Sequence, residues 1–173
     1  MTDYPLFLFP SGVPLTPSHD WTSNESKIYF DWFLSVKDER ANYLLTALDE
    51  NLTGNAGNDI KRIGQKVYDH LFIAPFSNQT ENGIKITNKG LALAADLGIL
   101  TSNLVLRSVP KLRWERLEKG KRHISFRLPV IVGFSDSSNV EPIRFSTSGA
   151  RAILEGRLKS DIWFKFFEAC LTK

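Results

Sequence analysis

The stretch from residue 91 to residue 109 constrains this chain more than any other. Leu91, Leu93, Ala94, Ala95, Leu97, Ile99, Leu100, Leu104, Val105 and Leu106 leave hardly any polar face, and Asp96 is the only charge between Lys89 and Arg107. A helix that is apolar nearly all round has to be surrounded by protein. The spacing therefore predicts a central helix, capped at Asn88 and ended by Pro110, because proline disfavours helical geometry in the residue before it. The rest of the chain must supply its cover.

That cover is legible as amphipathic segments. Thr22 followed by Glu25 has the form of a capping box, which satisfies two orphan amide donors at a helix start. Ile28, Tyr29, Trp32, Phe33 and Val36 then recur at helical steps, and Ala41, Leu44, Leu45 and Leu48 continue the stripe. Ser35 and Asp38 offer a second start, so either one long helix or a kinked pair fits. Asn58 or Asp59 is expected to cap a helix presenting Ile60, Ile63, Val67, His70 and Leu71. Asp161 is expected to cap a last helix, buried through Trp163, Phe166, Phe167 and Cys170. Another helix is expected from Ser148 to Leu158. Short strands are expected at residues 6–9 and around Ile143 and Phe145, with loops at residues 51–58 and 74–83.

After Pro110 the period changes from 3.6 to 2. Leu112 and Trp114 alternate with Arg113 and Glu115, and Ile124 and Phe126 with His123, Ser125 and Arg127. A three-residue loop of Glu118, Lys119 and Gly120 places glycine where such hairpins turn left-handed. Trp114 would then face Ile124, and Leu112 would face Phe126. The β-branched run Val130, Ile131, Val132 predicts a further strand, covered on both sides. The expected fold class is α+β, a predominantly helical single domain over residues 1–173 with a small antiparallel sheet built around a hairpin near residues 111–134. At 173 residues and 42% apolar the chain has the material for one core.

Composition removes several function classes. With one cysteine and three histidines, neither a disulfide framework nor a Cys/His zinc site has enough ligands; no metal and no cofactor is expected. The first ten residues lack the basic region of a signal peptide, and no apolar stretch approaches the roughly 20 residues needed to span a bilayer. The expected location is the cytoplasm, away from membranes.

Charge is distributed unevenly. Residues 1–60 sum to −6 and residues 107–127 to +6. The asymmetry implies either a partner of complementary charge or internal pairing of the two segments. Arg113, Lys119, Lys121, Arg122, His123 and Arg127 form the candidate binding surface, presented on the outer face of the hairpin. Such cations could follow a phosphate backbone, but Trp114 and Phe126 are read as inward, so a stacking platform for nucleic acid is missing. A second reading has the same face meet an acidic protein surface, and a third leaves it merely solvated. Asp96 has two readings: a general base or ligand whose pKa is raised by burial, or a structural charge that pairs with an arginine such as Arg113 or Arg144 or caps a neighbouring element. The structural reading is preferred, because ion-pair networks also produce buried acids.

Three stretches, Tyr29-Phe30-Asp31-Trp32-Phe33, Asp96-Leu97-Gly98-Ile99 followed by Trp114, and Pro129-Val130-Ile131-Val132-Gly133-Phe134, resemble a group of uncharacterised bacterial proteins. The resemblance implies a bacterial source and brings no chemistry with it. The functional expectation is a cytosolic protein-binding module, in its most concrete form an immunity-type protein that neutralises a toxin by occlusion. A small enzyme using Asp96 with an arginine, and a weakly specific nucleic-acid binder using the basic hairpin, are the alternatives.

Overall fold

The structure, a computed structural model, describes residues 3–81 and 83–173. Met1, Thr2 and Asn82, which the readings of the N-terminus and of the 74–83 loop touch, lie outside it. Among the described residues, 6–9 form no strand. A 3-10 turn at Ser18–Asp20 leads to helix α1, Ser23–Ala47. The capping box is present: the Thr22 hydroxyl accepts from the Glu25 amide, and the Glu25 carboxylate accepts from the Thr22 amide. The helix runs unbroken past Val36, because the Ser35 hydroxyl donates back to the Trp32 carbonyl instead of capping a new start.

Helix α2, Ala56–Leu71, is capped by Asn55, three residues before Asn58 and four before Asp59. Asp59 is buried and instead accepts from the Thr53 amide and hydroxyl and from Arg62, which fastens the preceding loop to the helix. Residues 74–83, expected to be a loop, contain strand β1, Ser77–Thr80, which pairs antiparallel with β2, Gly83–Ile86.

The central helix α3 spans Asn88–Ser108 and is capped by Thr87 rather than Asn88. It contacts every other helix. At 21 residues and mean hydropathy 1.3 it has the length and composition to cross a membrane, contrary to the expectation that no stretch approaches this. Gly, Ala, Ser and Thr dilute its apolar character in the sequence. In the fold, 78% of its apolar window is buried within the protein.

The hairpin needs correction. Strand β3, Arg113–Arg116, pairs antiparallel with β4, Pro129–Val132, so that Trp114 faces Ile131 and not Ile124. The intervening residues fold into successive turns, with His123 N bonded to Gly120 O, Phe126 N to His123 O and Leu128 N to Ser125 O. Gly120 is left-handed at φ 75°, as turn chemistry requires, but Arg127 is also left-handed at φ 67°, which breaks the alternation. Val130, Ile131 and Val132 are better partners for Trp114 because their β-branched side chains suit a pleated, covered surface. Ile124 is left 66% exposed.

Ile143 and Phe145 lie in helix α4, Pro142–Leu154, and not in a strand. Pro142 occupies its first turn, where the missing amide costs nothing, and Ser148 sits mid-helix instead of capping. Helix α5, Ile162–Thr172, follows Asp161 and buries Trp163, Phe166, Phe167 and Cys170 as expected. α3 and α4 meet closely at Gly98, where an added Cβ would lie 2.7 Å from the Pro142 carbonyl oxygen. Beside it the buried Ser146 hydroxyl donates to the Ala94 carbonyl and accepts from the Trp163 indole, which ties α3, α4 and α5 together. The protein is thus a mostly helical α+β structure, with two small antiparallel sheets among the described residues.

Candidate functional site

The six cations singled out in the sequence do not share one sheet face. Lys119, Lys121, Arg122 and His123 lie exposed on the turns of residues 117–128. Arg113 is on β3 and pairs with Glu115 at 2.9 Å. Arg127 is half-buried, its guanidinium 4.9 Å from the Phe126 ring centroid. Ser125, expected outside with them, is buried. The loop is held at its base by Leu117 N to Leu128 O and Arg127 N to Leu117 O. It is held along its length by the Ser18 hydroxyl on Phe126 O and the Ser26 hydroxyl on Arg127 O. Trp114 points inward, edge-on to Phe33 with centroids 4.8 Å apart.

The charge of the acidic first third of the chain reaches this loop through Glu25, which interacts electrostatically with Arg127. Among the described residues no ion pair joins residues 1–60 to residues 107–127; Glu50 pairs with Arg62 and Lys66, and Asp59 with Arg62. Lys119, Lys121 and Arg122 have no carboxylate partner among the described residues.

Asp96 pairs with neither Arg113 nor Arg144. Its partner is Arg40 of α1, whose Nε and Nη2 donate to the two carboxylate oxygens at 2.8 and 2.6 Å, while the Tyr4 hydroxyl donates to Oδ2 at 2.6 Å. Arg40 also donates to the carbonyls of Pro5 and Leu6. Burial pushes Asp96 up to about 6, against the opposing pull of Arg40 and Tyr4. Every oxygen is engaged, so the cluster is a clasp fastening the N-terminal segment to α1 and α3. Nothing in the spacing of Tyr4, Arg40 and Asp96 reveals it, because the three are brought together by tertiary packing alone.

A cavity of about 560 Å³ opens between that fastened segment and the α3–α4 junction. Phe7 and Phe9 form one wall, Ala92 and Ala95 of α3 another, and Tyr29 and Leu128 close the side. Glu141 and Arg144, at the start of α4, line it too. Each carries a buried polar atom without a hydrogen-bond partner, Glu141 Oε2 and Arg144 Nη1. Burial raises the Glu141 carboxyl above its ordinary range, with the Ser125 hydroxyl and Arg144 opposing. Leu8 and Leu15 are exposed at the mouth. Sequence reasoning missed this site; the only signal was a Glu and an Arg three apart after a turn.

No group of three His, Cys, Asp or Glu among the described residues is placed to hold a metal ion. His70 Nδ1 bonds the Lys66 carbonyl, and His123 accepts from the Ser125 amide. Burial pushes the Cys170 thiol up to about 11, so it is protonated and unreactive at neutral pH. Comparison with protein-family models, with curated proteins and with solved structures returned no match.

Proposed function

We propose that this protein is a binding module that engages an acidic protein partner through the 117–128 loop. One observation carries the reading: Lys119, Lys121 and Arg122 stand exposed and without carboxylate partners on a loop anchored at both ends, next to the exposed Ile124. Unpaired cations around an exposed aliphatic side chain suit an acidic surface with an apolar anchor, since complementary charge steers encounter and burial of the anchor adds affinity. Its most specific form is an immunity-type protein of bacterial origin, acting in the cytoplasm, which neutralises a toxin by covering the toxin's active site. Occlusion needs a surface and no reaction, and Asp96, the carboxylate on which the alternative enzyme reading rested, is fully occupied by Arg40 and Tyr4.

Calorimetric titration with the products of adjacent genes tests the reading. The expected result is a complex that weakens when Lys119, Lys121 and Arg122 are replaced by serine. Absence of binding to every such product refutes it. Equal binding to a random-sequence duplex, with affinity falling steeply as salt rises, transfers the loop to nucleic-acid recognition.

A further inference from the structure

We propose that the cavity beside the α3–α4 junction is a binding site for a neutral small molecule with an apolar tail and an amide-type head. In this assignment the head's carbonyl accepts from Arg144 Nη1 and its N–H donates to Glu141 Oε2.

The cavity's volume, about 560 Å³, falls within the roughly 300–1,000 Å³ of small-molecule sites, and its character is theirs: apolar walls with a few convergent polar groups. A buried polar atom left without a partner is destabilising, so it favours any ligand that supplies one. Two such atoms lie three residues apart on one wall, one a donor and one an acceptor. They carry opposite charges yet form no ion pair with each other, so both remain open to a third group.

Their chemistry selects the head. The pair sums to zero charge, so a neutral group enters without leaving a net charge in an apolar site. A carboxylate would meet Arg144 but set an anion against Glu141, and an ammonium would meet Glu141 but set a cation against Arg144. A primary or secondary amide offers the complementary acceptor and donor side by side. The tail is accommodated by Ala92 and Ala95, whose small side chains leave the space that a larger residue on α3 would fill. It would extend towards Leu8 and Leu15, which are 67% and 85% exposed and would bury apolar surface against it.

Octanamide, octanoate and octylamine titrated into the full chain by calorimetry test the assignment. Tryptophan emission gives a second signal, because Trp21 and Trp32 pack on the cavity residue Tyr29. Octanamide is expected to saturate at one molecule per chain, with the two charged analogues weaker by about tenfold or more, which corresponds to losing one buried hydrogen bond. Glu141→Leu and Arg144→Met are each expected to weaken octanamide by a similar factor. Thermal melts of both variants at or above the unaltered chain's midpoint show that the fold is intact. Failure of octanamide to bind overturns the proposal, as does equal binding of octanoate or unaltered binding by the two variants. The 117–128 loop meets the cavity through Ser125 and Leu128, but Lys119, Lys121 and Arg122 take no part in it, so these results leave the reading of that charged surface unaffected.

Discussion

Replacing Asp96 by alanine removes the acceptor that Arg40 and Tyr4 share and leaves a guanidinium, 13% exposed, with only the Pro5 and Leu6 carbonyls. Breaking a buried ion pair by deleting one partner costs about 3–5 kcal/mol, because the remaining charge has lost its compensation. At this chain length each kcal/mol lowers the melting midpoint by about 2–4 °C, so a fall of roughly 6–20 °C is expected at neutral pH. Arg40→Met should cost a similar amount at pH 7 and less at pH 5, where the abandoned carboxyl takes a proton. The double replacement Arg40→Met with Asp96→Leu should cost much less than the sum of the two single losses. The pH dependence has a definite sign. Asp96 binds its proton more tightly folded, at about 6, than at the ordinary 3.8. Its contribution therefore makes stability fall as pH rises from about 4 to about 6, by about 3 kcal/mol in all. Asp96→Asn should remove that slope. Urea denaturation across this range measures both effects. A loss below about 1 kcal/mol for Asp96→Ala, or simple additivity in the double variant, would refute the idea that this cluster fastens the N-terminal segment.

Three further outcomes follow from the packing. Ile131→Ala should cost about 2–5 kcal/mol, whereas Ile124→Ser should stay within about 0.5 kcal/mol; reversed costs in urea denaturation would mean that Trp114 faces residue 124 after all. Gly98→Ala should destabilise by about 1–3 kcal/mol, since its methyl would meet the Pro142 carbonyl, and a neutral result by calorimetry would show that α3 and α4 are not in close contact there. Cys170 should react with a thiol reagent only on unfolding, and rapid labelling of the native chain would contradict its burial.

The helices were readable where a single element carries its own signal. Thr22 and Glu25 marked the start of α1, and Trp163, Phe166, Phe167 and Cys170 marked the inner face of α5. The β region was readable as composition but not as register. Gly120 suggested a tight loop, yet the long-range preference of Trp114 for Ile131 overrode the local turn. Ile143 and Phe145 looked like a strand because two aromatic or β-branched residues alternate, while Pro142 in the first helical turn was the stronger signal. Asp96 was recognisable as a buried charge needing a partner. Arg40 and Tyr4 were not identifiable, because nothing in a linear pattern reports which surfaces meet across more than fifty residues. The cavity was invisible for the same reason: its walls come from five separate segments.

The position of α3 in the chain also governs how the molecule can be made. Its closest neighbour, α4, and the α5 face that completes its enclosure are synthesised after it, from residue 142 onward. While the ribosome is still extending the chain, a greasy rod of 21 residues has emerged with α1 and α2 to cover it in part but without α4 and α5. Nascent or prematurely terminated chains ending before residue 142 therefore display a surface that chaperones recognise and aggregates recruit. Soluble yield of such fragments should rise abruptly once the last two helices are included.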